Sequence, residues 1–193
     1  MNRVCVYCGS NPGRVPEYVA AAERLGGLLA ERGIGLVYGG SSLGVMGAVA
    51  NAALAGGAEV IGVIPSALAT REVAHARLSE LVVVESMHER KAKMAELSDA
   101  FVALPGGWGT MEEIFEALTW AQLGLHRKPC GLLNVAGYFD HLENFLQHAM
   151  GEAFVRAEYK PMMMVEEDPE KLLERFRSYE PPRVKKWISK DEA

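Results

Sequence analysis

Three short apolar runs in this chain each end in a turn of glycine and small polar residues, and each turn feeds a helical segment. The runs at 4–7, 36–38 and 101–104 lead into Cys8-Gly9-Ser10-Asn11-Pro12-Gly13, Gly39-Gly40-Ser41-Ser42-Leu43-Gly44-Val45-Met46-Gly47 and Pro105-Gly106-Gly107-Trp108-Gly109-Thr110-Met111-Glu112-Glu113. Glycine admits tight turns and close backbone approach, and a helix start offers unpaired N–H groups at the positive end of its dipole. Further β-rich runs at 60–64, 81–84, 131–133 and 162–165 alternate with helical patterns. Most runs are apolar throughout, which predicts strands covered on both faces. Tyr18, Ala22, Leu25 and Leu29 form one helical stripe, and Leu172, Leu173 and Phe176 form another. The chain therefore reads as α/β, a doubly wound and mostly parallel sheet with helices on both faces. In such a sheet ligands bind at the carboxyl ends of the strands, where the strand order reverses.

The length of 193 residues fits one domain, taken as 1–180, followed by a polar tail at 181–193. Hydrophobic residues at 49% and charged residues at 23% exclude a disordered chain. A net charge of −5 argues against a nucleic-acid or anionic-membrane partner, because both need a basic excess. The longest uncharged stretch, 33–58, is interrupted by glycines and reads as strand, loop and helix, not as a membrane span. The apolar run at 4–7 is too short for a secretory signal. Three cysteines give no disulfide framework and point to a reducing cytoplasm. Cys5 and Cys8 form a C-x-x-C, but along a strand and without a second Cys/His pair, so neither a redox pair nor a metal site is expected.

The glycine turns match no common nucleotide signature. No G-x-x-x-x-G-K-[ST] is present, and Gly107-x-Gly109 runs on to Glu112 where a third glycine would complete a dinucleotide fingerprint. A mononucleotide or sugar phosphate is the better expectation. Cations are needed to hold it, and the helix from Met87 to Leu97 supplies two. Its apolar stripe is Met87, Met94 and Leu97, and Arg90 and Lys91 fall inside that stripe. Either both point into the anion site, where Arg90 offers a planar fork, or they form internal salt bridges. His88 reads as a surface residue. Thr110-x-x-Glu113 is equally double: a capping box, or a carboxylate held at the site. So close to a helix start, Glu113 should stay ionised, which makes it a poor general acid.

These residues resemble the LONELY GUY family of cytokinin-activating phosphoribohydrolases. The family's P-G-G-x-G-T-x-x-E stands here in full at Pro105 to Glu113, and its M-H-x-R-K stands at Met87 to Lys91. The C-G-S and Y-G-G…G-x-M-G loops match as well, with Ser41 where many relatives carry a third glycine. The resemblance implies a Rossmann-like homodimer that binds a purine nucleoside 5′-monophosphate and hydrolyses its N-glycosidic bond. It implies Arg90 and Glu113 as the catalytic pair. Substrate contacts would come from Gly9, Ser10, Gly40, Gly44, Met87, Lys91, Gly106, Gly107, Gly109, Thr110 and Glu112, with Glu72 and Thr119 as further ligand positions. No cofactor or metal is implied. Relatives have also been labelled lysine decarboxylases, but the chain shows no convincing pyridoxal-phosphate lysine. Two readings from another class use the same pocket without hydrolysis: a purine-nucleotide sensor, or a carrier of another phosphorylated metabolite. The base preference is open between adenine and an N6-substituted adenine. Trp108 is a candidate wall for the base, and Ile114, Leu118 and Ala121 face either a partner subunit or the core.

Overall fold

The computed structural model describes residues 1–69 and 75–183. Most of the tail, from 184 onward, and residues 70–74, which include Glu72, lie outside the described residues. Seven strands form one sheet: β1 (Arg3–Tyr7), β2 (Gly35–Tyr38), β3 (Val60–Pro65), β4 (Glu80–Val84), β5 (Ala100–Ala103), β6 (Cys130–Leu133) and β7 (Met163–Glu166). All seven strand positions expected from the sequence are filled, to within a residue or two at the ends. The helices are α1 (Glu17–Glu31), α2 (Gly44–Ala55), α3 (Ser66–Ala69), α4 (Met87–Leu97), α5 (Trp108–Leu123), α6 (Asp140–Gly151) and α7 (Pro169–Arg177).

The strand order is β4-β3-β2-β1-β5-β6-β7, and every neighbouring pair is parallel. The order reverses between β1 and β5, so the loops after these two strands diverge to opposite faces and leave a crevice. Alternation along β1 divides the core. Val4 and Val6 pack with Leu25 and Leu29 of α1, Val49 and Ala53 of α2, and Leu172 and Phe176 of α7. Cys5 and Tyr7 pack on the other face with Met94 of α4 and Ile114 and Ala117 of α5. Ile114 thus faces the core, and Ala121 is buried beside Tyr159 and Met162. The expectation of two-sided coverage fails at β4. It is an edge strand, and Leu81 and Val83 are 38% and 52% exposed.

The first two glycine turns are held together by backbone. Gly44 starts α2 at φ +56, and a Cβ there would stand 2.4 Å from the carbonyl carbon of Ser10. Next to it, the Met46 N–H donates to the Gly9 carbonyl at 3.1 Å. Gly40, at φ +80, accepts from the His75 N–H at 3.1 Å. The Ser41 hydroxyl is buried and accepts from the Leu43 N–H at 3.2 Å. The second turn therefore buttresses the first from behind.

Candidate active site

A cavity of about 440 Å³ opens at the β1–β5 crevice. The loop after β1 supplies Cys8, Gly9, Ser10, Asn11, Pro12 and Gly13 to its wall, and the turn into α5 supplies Pro105 to Thr110 with Glu112 and Glu113. Met87 and Arg90 enter from α4, Val45 and Met46 from α2, Tyr18 from α1, and Tyr138 from the turn after β6. The third glycine turn is closely fitted. The Gly9 N–H donates to the Pro105 carbonyl at 3.1 Å, and a Cβ on Gly106 would fall 2.0 Å from the Thr110 hydroxyl oxygen. The ladder of α5 opens with the Met111 N–H donating to the Gly107 carbonyl. The amides of Trp108, Gly109 and Thr110 precede that bond and belong to the unladdered helix start, where an anion is favoured.

Arg90 and Glu113 meet at the inner end. Their side chains are only 9% and 6% exposed, and Arg90 Nη1 lies 3.5 Å from Glu113 Oε1. Arg90 Nε donates to the Val63 carbonyl at 3.0 Å. The guanidinium occupies space that Gly39 leaves open, since a Cβ on Gly39 would stand 2.2 Å from Arg90 Nη2. Burial pushes the Glu113 carboxyl up from 4.5 to about 7, with Arg90 opposing the rise and Glu112 adding to it. This corrects the expectation of a firmly ionised carboxylate. It also removes the capping box: the helix is capped at Gly107 without a side-chain bond, so Thr110 sits inside α5. Glu113 then lies more than a turn beyond the cap, out of reach of the first amides.

The structure separates the remaining expected contacts. Gly9, Ser10, Met87, Gly106, Gly107, Gly109, Thr110 and Glu112 line the cavity with the pair. Lys91 does not. It points to α5, where its ammonium contacts Glu112 and reaches Glu116 at 3.0 Å. It takes the internal salt-bridge alternative and clamps α4 to α5, whereas its neighbour Arg90 faces the cavity. Gly40 and Gly44 act one layer back, as supports of the loop after β1. Thr119 is exposed, donates to the Phe115 carbonyl at 2.7 Å, and lies in a separate groove between α5 and α6. Tyr18, read from the sequence only as part of a helical stripe, and Tyr138, which falls in no glycine or charge pattern, also line the cavity. Trp108 stands 93% exposed at the cavity mouth, and His88 is exposed. The cysteines are free, with Cys5 and Cys8 in the cores of opposite sheet faces, and burial raises both thiols. Among the described residues no cluster of three His, Cys, Asp or Glu side chains can hold a metal ion.

The family model described as "Possible lysine decarboxylase" matches residues 46–176. Cytokinin riboside 5′-monophosphate phosphoribohydrolase LOG7 of Arabidopsis thaliana is 48% identical over 179 residues, which cover 93% of this chain and 82% of the relative. The chain belongs to the LONELY GUY family. A second member, cytokinin riboside 5′-monophosphate phosphoribohydrolase LOG of Oryza sativa subsp. japonica, is 49% identical over 179 residues, covering 93% of this chain and 74% of that protein. The fold of the LONELY GUY chain extends further. The molybdenum cofactor binding protein of Rippkaea orientalis superposes with a TM-score of 0.70 at 24% identity, covering 92% of this chain and 96% of that one. The molybdenum cofactor carrier protein of Chlamydomonas reinhardtii gives 0.69 at 22% identity, covering 93% and 99%. At such identities the likeness is one of fold.

The raised Glu113 carboxyl has a consequence for stability. Between 4.5 and about 7 the folded protein keeps a proton that the unfolded chain has released, so stability falls as pH rises through that window. Unfolding free energies of wild type and Glu113→Gln, measured by denaturant titration, should diverge. From about pH 5 to about pH 8 the wild type should lose roughly 2 kcal/mol relative to the variant. A constant difference would show that Glu113 has an ordinary carboxyl.

Proposed function

We propose that the chain hydrolyses the N-glycosidic bond of adenosine 5′-monophosphates, including N6-substituted ones, to free base and ribose 5-phosphate. The observation that supports this best is the buried Arg90–Glu113 pair in the wall of a cavity that also contains a glycine turn at a helix start. A phosphate sensor has no need of a carboxylate beside its anion. An N-ribosyl hydrolase does, because cleavage develops positive charge at the anomeric carbon.

The phosphate binds at the turn from Gly106 to Thr110. That remote anchorage orients the sugar so that its anomeric carbon meets Glu113. In its ionised form Glu113 faces the developing oxocarbenium and takes a proton from the attacking water. The water's oxygen bonds to the anomeric carbon, the bond to the base nitrogen breaks, and the proton taken by Glu113 passes to the departing base, which restores the carboxylate. Arg90, fixed by the Val63 carbonyl, holds Glu113 and the substrate in register. A decarboxylase using a lysine-bound aldehyde cofactor is disfavoured, since no lysine lines the cavity among the described residues.

We further infer that the enzyme works as a homodimer in the cytoplasm. The groove between α5 and α6 supports the first part: Phe115, Leu118, Leu146, Met150 and Val155 line it, and Thr119 stands there instead of in the cavity of its own chain. Unpaired, buried cysteines fit the second. Sedimentation should give twice the mass of one chain. A monomer at micromolar concentration would remove the dimer from this account.

Purified protein incubated with AMP and with N6-isopentenyl-AMP should release base and ribose 5-phosphate, resolved by chromatography. Glu113→Gln should lower turnover at least about 100-fold, the contribution of a positioned acid–base group. Arg90→Ala should damage turnover as well. Nucleotide binding without product from either substrate would convert the reading to a sensor.

A further inference from the structure

Tyr138 makes a contact that neither its family motifs nor its place outside the glycine turns would indicate. Its hydroxyl donates to the Gly106 carbonyl at 2.6 Å. The bonded carbonyl belongs to the Gly106–Gly107 peptide, which has glycine on both sides. Two glycines leave such a peptide free to rotate, because no Cβ restricts either neighbour. In a trans peptide the C=O and the following N–H point in opposite directions. A partner on the Gly106 oxygen therefore fixes the direction of the Gly107 N–H as well. The preceding carbonyl, that of Pro105, is already taken by the Gly9 N–H. Together the two bonds hold the turn that starts α5 from both sides.

The chain goes to some length to deliver that hydroxyl. Ala136 and Gly137 lie consecutively in the left-handed region, at φ 50 and φ 70. Alanine disfavours this conformation, so the surrounding structure must impose it. Asn134 does so. Its N–H donates to the Glu166 carbonyl at 2.7 Å, its Nδ2 donates to Asp140 Oδ1 at 2.7 Å, and its Oδ1 accepts from the Phe139 N–H at 2.7 Å. The Tyr138 ring is then set edge-on to Tyr18 at 5.5 Å and to Phe139 at 5.0 Å between centroids. Phe139 is buried in the core, so the ring rests on a fixed base while it lines the cavity.

We propose that Tyr138 is a positioning residue for the phosphate group of the ligand: its hydroxyl locks the Gly106–Gly107 peptide in the orientation that receives the anion. The proposal rests on the nucleotide-monophosphate reading of the cavity but not on hydrolysis, so the two can fail separately. Tyr138→Phe removes the bond and keeps the ring. Calorimetric titration of wild type and Tyr138→Phe with ribose 5-phosphate, AMP and adenosine separates the cases. Loss of one such hydrogen bond should weaken ribose 5-phosphate and AMP about five- to tenfold. Adenosine, which lacks the phosphate, should bind within about twofold of wild type. In the cleavage assay KM for AMP should rise while kcat stays within about threefold. Tyr138→Ala should give the same selectivity with a larger loss. Equal weakening of adenosine, unchanged ribose 5-phosphate binding, or no binding of either phosphate by the wild type would each overturn the proposal. Phosphate-selective weakening in a protein that cleaves nothing would leave it standing and remove only the hydrolase.

Discussion

A guanidinium that is nine-tenths buried has to be given both a counter-charge and room, and the architecture around Arg90 supplies the two together. The counter-charge is Glu113, brought from α5. The room is the missing side chain of Gly39 at the end of β2. A hydrogen bond to Val63 of β3 fixes the third side. Parts of β2, β3, α4 and α5 therefore converge on one ion pair, and moving any of them breaks it. Burial is costly for the carboxylate. Burial outweighs the attraction of Arg90 and leaves Glu113 titrating at about 7. A group in that range can exchange protons with water at neutral pH, which a fully ionised carboxylate cannot do readily.

Around the pair the sheet works as a jig. The reversal of strand order at β1 and β5 opens the crevice, and the turns after those strands meet across it through the Gly9–Pro105 bond. Close approach of backbone to backbone does the remaining positioning, at Gly44 against Ser10 and at Gly106 against Thr110. The Lys91 clamp to Glu112 and Glu116 ties α4 to α5 just beside the pair. Its charges also act on Glu113, with Glu112 and Glu116 raising the carboxyl and Lys91 lowering it.

Much of this was legible from residue order. Short runs that are apolar throughout, alternating with helical stripes, placed every strand, and two cations on an apolar stripe marked α4 as the helix that turns charge inward. What failed was decided by three-dimensional context. Thr110-x-x-Glu113 has the spacing of a capping box, but the glycine turn lets α5 begin earlier, with its cap at Gly107, and moves Glu113 into the second turn. Adjacent residues on a helix diverge by about 100°, and here that turns Arg90 to the cavity and Lys91 to Glu112 and Glu116 of α5. Leu81 and Val83 read as buried because a sequence does not mark an edge strand. Tyr138 gave no signal, since its role depends on a turn whose left-handed geometry falls partly on an alanine.

The claim most worth testing is that the ionised form of the buried Glu113 performs the cleavage. The direct measurement is kcat/KM for AMP cleavage against pH, in wild type and in Glu113→Gln. The wild-type rate should climb about tenfold per pH unit below about 7 and level off above, as the carboxylate forms. The same limb should be missing from the residual activity of Glu113→Gln. A wild-type rate that falls as pH rises through 7, or an identical profile in the two proteins, would contradict it.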